Sequence, residues 1–551
     1  MSQTIGEVVD AHVATRGDEL ALVGPGFAGT RRLTWRELRD EGAALARALV
    51  RAGVGRGDRV AALLGNRPEW VVTALAAGRI GATLVPLNTW YKPAELAWTL
   101  SRTGAVVLLS EAGFLKRDFA SDIASLDPGI AAGTPGELRL EAFPQLRTVV
   151  HPEARSGAFG WDEFVARGSG VVLDGPARPE DPLFLLYTSG STAEPKGVVL
   201  NQGPLLQNGT GIGDRRGIDS SDRIWLGSPL FYGLGAANCL PAWLTHGACL
   251  VLQGVFTAET ALDVIERERC TVFYGMSNMV LAIHESPVYS RERVSSLVKG
   301  AAGISVAERK ILIEDMGVSG ATASYGATEL YGNCFGGNPD DPLDLKYETT
   351  GYPLPGFEFR IVDPASLEDL DPGEVGLLLV RGFVIDAYDG DPPDTRSAFV
   401  GDGWYSTGDL GAFGADGYFR YHSRMKEMIK VGGINVSPVE VEQILLRHPG
   451  IREASVVGVP DAVRGEAMVA VLAVAGGLEA DEVRGYMRDT AAAFKTPSRF
   501  LIRGSDWVPR TASGKVAKAI LREKVLTALA EDDPAGGATG APGEVQGDRA
   551  S

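Results

Sequence analysis

Leu185–Leu200 reads LLYTSGSTAEPKGVVL. The residues from Leu183 to Tyr187 form an apolar run of strand type, and Val198-Val199-Leu200 form a second. Between them stand Thr188, Ser189, Gly190, Ser191 and Thr192, followed by Pro195, Lys196 and Gly197. Hydroxyls on both sides of one glycine make a loop able to wrap backbone N–H and side-chain O–H groups around phosphate oxygens, and Lys196 adds a cation. A solvated Ser/Thr/Gly turn between two strands shares this composition, but the order here is more particular. The paired glycine and the Gly-Lys-Ser/Thr ending of a Walker loop are missing.

Working outward from this loop, the preceding chain alternates strand and helix. Thr34-Trp35-Arg36-Glu37 fits a capping box, with Leu38, Leu45 and Leu49 on one helical face and Gly53 as the stop. Residues 59–64 read as a strand, 68–77 as a helix, 82–87 as a strand, 92–100 as a helix and 105–110 as a strand, which implies a parallel sheet covered by helices. Residues 135–182 are broken by Gly and Pro. A second α/β run follows the loop, with strands at 224–228, 248–252 and 272–274 and a helix at 258–269. GTGIG at 209–213 lacks the strand and acidic partner of a dinucleotide site and reads as a loop. Beyond Thr349 the pattern turns to short strands and turns, a small β-barrel-like unit ending near Tyr421. The expected fold is α/β: a large N-terminal domain (1–423) of two doubly wound subdomains plus the small β unit. A small α+β C-terminal domain (424–528) and a disordered Gly/Ala/Pro/acid tail (529–551) follow.

The 551 residues carry 53 Lys+Arg against 70 Asp+Glu, a net charge of −17, which argues against a general nucleic-acid or membrane-surface binder. Cys239, Cys249, Cys270 and Cys334 form no Cys-x-x-Cys pair, which points to a reduced, cytoplasmic setting and not to a disulfide frame or zinc site. No signal peptide or spanning segment is expected.

Further stretches carry chemistry. In Tyr325-Gly326-Ala327-Thr328-Glu329 an aromatic can stack on a base, a hydroxyl can reach a phosphate and a carboxylate can hold Mg²⁺. Gly300-Ala301-Ala302-Gly303 is a small-residue bend. Asp409, in WYSTGDL, can accept two ribose hydroxyls, and Arg424 follows in SRMKEMIK. Gly432-Gly433 allow a close backbone approach, and PRTASGK ends in Lys515. Together with the hydroxyl loop, these stretches resemble, in order and spacing, the acyl-adenylate-forming (AMP-binding) superfamily: acyl-CoA synthetases, aryl-CoA ligases, adenylation domains and firefly luciferase. The resemblance covers almost the whole chain before the tail. This sequence departs from the pattern at Ala193 and Ser423, where glycine is frequent, at Gly303, where proline is frequent, and at Tyr232, where histidine is frequent.

The resemblance implies ATP, Mg²⁺ and coenzyme A as cofactors and an acid–thiol ligase reaction in two halves. Thr188, Thr328, Glu329 and Lys515 would stabilise charge while a carboxylate attacks ATP. Ser189, Gly190, Ser191, Thr192, Lys196, Ala301, Ala302, Tyr325, Gly326, Asp409 and Arg424 would hold the nucleotide. The small domain would then turn about Lys426, withdraw Lys515 and present Gly432-Gly433 to the thiol. Tyr232, Gly235, Ala236, Asn238, Ser277 and Gly300 would line the acid pocket, and core packing accounts equally well for the small ones. The acid is expected to be aryl or medium acyl. Three other readings stay open: transfer to a carrier-protein thiol, transfer to an amine (including nitrite-activating, diazotising or N-nitrosating chemistry), and an inactive nucleotide-binding protein. The acid and the oligomeric state have no signature in the sequence.

Overall fold

The computed structural model describes residues 3–188, 195–302, 306–390, 393–431, 434–461, 465–491, 493–511 and 515–532. It forms two compact units, Met1–Tyr421 and His422–Ser551.

The first unit is built on two large sheets. In one, the strands run in the order Lys196–Asn201, Pro182–Thr188, Thr83–Pro86, Arg59–Leu63, Val107–Ser110, Thr148–His151 and Phe159–Gly160. All its pairings are parallel except the Pro182–Thr188/Lys196–Asn201 hairpin. Gly/Pro-broken 135–182 thus contributes the last two strands, with Phe159–Gly160 at the edge. The other sheet runs Tyr352–Pro353, Gly332–Gly336, Gly320–Ala327, Lys299–Ala302, Val272–Tyr274, Arg223–Leu226, Cys249–Leu252, Leu20–Gly26 and Gly29–Thr34. Its last two strands come from the N-terminus, an insertion that the local sequence pattern did not announce.

The sheets share a core because the helices between them are apolar where they face both. Every residue from Pro68 to Gly78 of helix Pro68–Arg79 is buried, as expected of a helix with no solvent side. Pro68 supplies its first position, where a missing N–H costs nothing. The neighbouring helix, Trp35–Arg51, starts on the expected capping box: Thr34 Oγ1 accepts the Glu37 N–H (3.2 Å) and Glu37 Oε2 accepts the Thr34 N–H (2.8 Å). Its Trp35 stacks on Trp243 at 5.2 Å. GTGIG does not form a loop. It lies inside helix Gln202–Arg216, because Gly209 must clear Pro241 and Gly213 must clear the His246 ring of helix Leu240–His246. Close helix packing offsets the roughly 1 kcal/mol that a helical glycine costs.

A five-stranded antiparallel sheet completes the unit: Phe357–Val362, Gly376–Gly382, Trp404–Phe413 and Phe399–Val400, with Phe419–Arg424 also paired to Trp404–Phe413. The second unit has its own five-stranded sheet: Ile434–Val436, Ile429–Val431, Gly465–Val474 and Ile451–Asp461, with Arg499–Ile502 beside Gly465–Val474. Helices Pro438–Leu446, Ala480–Thr490 and Lys518–Asp532 accompany it. The last helix carries ordered structure past the expected tail boundary at 529, because Ala528 and Leu529 pack on the core of Val457, Val469, Leu521 and Val525. Residues 533–551 lie outside the described residues.

Candidate active site

The hydroxyl loop starts from a hairpin in which Thr188 stands opposite Lys196. Ser189, Gly190, Ser191, Thr192 and Ala193 lie outside the described residues. Lys196 pairs with Asp394 (3.1 Å) and its ammonium stands 5.1 Å from the Tyr388 ring centre. The Tyr388 hydroxyl donates to Glu329 Oε1 (3.1 Å), so one tyrosine joins the loop lysine to the candidate metal carboxylate. Gly197 permits the approach: its carbonyl accepts the Asp389 N–H (2.8 Å), and a methyl there would meet Asp389 Cβ and Leu185 Cδ1, each at 2.9 Å.

Thr328 and Glu329 occupy the 3₁₀ turn Thr328–Leu330 at the end of strand Gly320–Ala327. Tyr331 ends that turn with φ of 55°, and its hydroxyl accepts the Asn201 N–H (3.3 Å), tying the turn back to the hairpin. Within strand Gly320–Ala327, the Tyr325 hydroxyl donates to Asp409 Oδ2 (2.6 Å), and the Asp409 N–H donates to Thr407 Oγ1 (3.0 Å). Burial, followed by the Asp409 charge, pushes the Tyr325 phenol well above its usual value and keeps it a donor. Its ring sits among Phe335, Phe419 and Tyr421. Gly326, by contrast, is exposed, and a side chain there would strike the Gly332 carbonyl. Among the described residues no group donates to Glu329 Oε2, and no three His, Cys, Asp or Glu gather as a metal cluster. One half-buried carboxylate suits Mg²⁺, which takes few protein ligands and completes its shell with phosphate oxygens and water.

The residues expected to line the acid pocket gather where strand order reverses. Arg223–Leu226 sits between Cys249–Leu252 and Val272–Tyr274, and the crevice beyond such a switch point is the usual ligand position in an open α/β sheet. Asn66 closes one wall: its Nδ2 donates to the Ser228 carbonyl (2.9 Å) and its Oδ1 accepts the Leu230 N–H (2.7 Å). Tyr232 follows, its hydroxyl accepting from Asn88 Nδ2 (3.2 Å) and its ring beside Trp90 and Phe231. Burial raises its phenol as well. A methyl on Gly233 would come 2.7 Å from Thr328 Oγ1, so this segment abuts the phosphate-side turn. Gly235 lies against the Pro229 carbonyl, while Ala236 and Asn238 are buried on the π-turn Leu234–Cys239. Gly300 lets its strand lie close to Phe273. Ala301 and Ala302 are in register with Thr322 and Ala323. Ser277 opens helix Ser277–His284, and Gly303 lies outside the described residues.

In the second unit, Arg424 and Lys426 are exposed around the 3₁₀ turn Met425–Glu427. Ser423 is fully buried, and its hydroxyl donates to Met428 Sδ (3.0 Å), so the departure from glycine is accommodated by an internal contact. Gly432 and Gly433 lie outside the described residues. Lys515 is exposed, and its carbonyl accepts the Thr511 N–H (2.7 Å), closing a small loop. Arg510–Glu453 (2.6 Å) anchors one side of that loop and Lys518–Glu442 (2.7 Å) the other. Tyr388, Asp394, Asn88 and Asn66 belong to no motif read in the sequence; their roles arise from contacts distant along the chain.

Residues 9–385 match the model of the AMP-binding enzyme family, and residues 440–515 match that of the AMP-binding enzyme C-terminal domain. The chain belongs to the AMP-binding enzyme family. A propanoyl:CoA ligase of Mycobacterium tuberculosis, whose acid carries a methyl-dioxo-octahydroindene ring system, is 36% identical over 532 residues, covering 95% of this chain and 99% of that protein. The mitochondrial medium-chain acyl-CoA ligase ACSF2 of Macaca fascicularis is 30% identical over 547 residues, covering 95% and 87%. Among solved structures, the anthranilate CoA ligase AuaEII in complex with anthranoyl-AMP superimposes with a TM-score of 0.84 at 26% identity, covering 96% of this chain and 98% of that one. Within the AMP-binding family this chain is an AMP-forming ligase of the acyl-CoA type, a class that works with ATP and coenzyme A. Among the described residues no helix is long and apolar enough to cross a membrane.

Proposed function

We propose that this AMP-binding ligase activates a carboxylic acid of aryl or medium acyl size, with Asp409 on the ribose and Lys515 at the reacting phosphate. The reading is carried by the linked arrangement of Lys196, Tyr388, Glu329 and Thr328 beside the Tyr325–Asp409 pair. The acid carboxylate attacks the α-phosphorus, and pyrophosphate leaves. Negative charge gathers on phosphate oxygens, and Thr188, Lys196, Thr328 and Lys515 are the donors that meet it. Mg²⁺, held by Glu329 together with phosphate oxygens, supplies further charge neutralisation when bound. Tyr325 keeps Asp409 turned toward the ribose hydroxyls by occupying one of its oxygens. Arg424 meets the same nucleoside from the second unit.

The second half needs a thiol at the acyl carbonyl, with AMP as leaving group. The second unit turns about Lys426, removes Lys515 and presents the Gly432-Gly433 backbone to the incoming pantetheine arm, so one site serves both steps. All four cysteines are free and buried, in keeping with action in a reducing compartment such as the cytoplasm. The test is product analysis over a panel of aryl and medium-chain acids. AMP, pyrophosphate and an acyl-CoA thioester in equal amounts are expected. ADP formation, or adenylate discharged only onto an amine or carrier protein, would overturn the reading.

A further inference from the structure

Asn238 lies on the π-turn Leu234–Cys239, directly beyond Tyr232 and Gly233. Such turns are rare and recur at functional sites. The side chain is 2% exposed, and two other groups fix it. Arg216 Nη1 donates to Asn238 Oδ1 (2.7 Å), and the Tyr274 hydroxyl donates to the same oxygen (3.0 Å). Arg216 also donates to the Tyr274 oxygen and, through Nη2, to Ser324 Oγ (3.2 Å).

A guanidinium carries donors only. The amide orientation is therefore settled by its partner: Oδ1 faces Arg216, and Nδ2 faces the other way. Among the described residues nothing accepts from Nδ2. It is not one of the enclosed, unpaired polar atoms among the described residues, so it stays open to a small acceptor that the protein does not itself supply. The network ties the π-turn to the end of strand Val272–Tyr274 and to the middle of strand Gly320–Ala327. It therefore holds the amide rigidly, at the switch-point crevice and one helical turn beyond the Thr328 contact at Gly233.

We propose that Asn238 Nδ2 reads a neutral oxygen acceptor, a ketone, hydroxyl or ether, that the acid carries away from its carboxylate. This rests on the reading of the segment after Tyr232 as the acid pocket. A second carboxylate does not fit. The nearest cation, Arg216, already spends both terminal nitrogens on neutral partners, and an enclosed charge needs direct pairing. The substrate class is thus an oxygenated acid, and the plain hydrocarbon acid of the same skeleton is the rejected competitor.

The experiment compares keto acids, their deoxy parents and dicarboxylates of equal length, reading kcat/KM for CoA-dependent pyrophosphate release. The wild-type enzyme should prefer the keto acid over its deoxy parent by about tenfold, since the parent offers that donor no acceptor. In Asn238→Asp, which keeps an acceptor for Arg216 and Tyr274 and removes only the donor, that ratio should collapse to within about threefold, with thermal unfolding and ATP binding read alongside to show a folded enzyme. Equal wild-type rates on both acids, preference for the dicarboxylate, or an unchanged ratio in Asn238→Asp would each overturn the inference alone. AMP formation with no acid at all would overturn the ligase reading and this inference together.

Discussion

Asp409 is 5% exposed and takes the Tyr325 hydroxyl on Oδ2. Asp409→Ala should raise the KM for ATP, because a charge-assisted hydrogen bond to ribose is worth about 1.5–3 kcal/mol. An unchanged KM for ATP in steady-state kinetics would take Asp409 out of the nucleotide site. His151 makes a prediction about pH. It is 3% exposed at the end of strand Thr148–His151, and burial lowers its pKa from 6.5 to about 4. The unfolded chain therefore binds the proton more readily than the native one, so stability is complete above pH 6.5 and falls as pH drops toward 4. The loss at the acid end is up to about 3 kcal/mol. Urea unfolding across that window should show a shallower decline for His151→Asn, and parallel declines would contradict the assignment. At this scale the sequence exposed the groups with a motif around them, such as Asp409 and Glu329. It was silent on Tyr388 and Asn88, whose importance lies in what they touch across the fold.

Elements show how far local pattern reaches. The capping box at Thr34 and the strand Val272–Tyr274 were legible because each is set by neighbours within a few residues. The GTGIG stretch was misread because its glycines answer to helix Leu240–His246, not to their own backbone. Strand Leu20–Gly26 pairs locally with Gly29–Thr34, but its place in the sheet is set by Cys249–Leu252, far along the chain. The Lys515 loop makes the element-scale prediction. Strand Ile451–Asp461 carries Glu453, which pairs with Arg510, and Val456, whose carbonyl accepts from Lys518 (3.2 Å). Lys518 in turn pairs with Glu442, whose carboxyl burial pushes toward the neutral form. Removing one partner would strand a charge, so the informative change is Lys518→Met with Glu442→Leu, which removes both. It should leave the unit folded yet slow acid adenylation about tenfold by loosening the loop that positions Lys515. Thioester formation from supplied acyl adenylate should stay within about twofold. Equal slowing of both steps in stopped-flow assays would contradict the anchoring role.

At the scale of the molecule, the division of labour between the two units is the claim that matters most. The large unit carries Glu329, Asp409, Thr328 and Lys196, whereas Lys515 and Gly432-Gly433 belong to the small unit and, in the proposed mechanism, to different half-reactions. Lys426 lies in the turn Met425–Glu427 near the start of that unit. Lys426→Pro fixes φ there and should slow the overall reaction while each half-reaction remains measurable alone; a normal overall rate would remove the hinge. The most direct measurement is single-turnover kinetics of each half-reaction in Lys515→Ala. Adenylation should fall about 10²–10³-fold, the cost of one preorganised charge-stabilising group, while thioester formation from supplied acyl adenylate stays near wild type. A bulky residue at Gly432 should give the reverse, with pyrophosphate release continuing and thioester formation blocked. Equal losses in both halves for Lys515→Ala would contradict the two-conformation account.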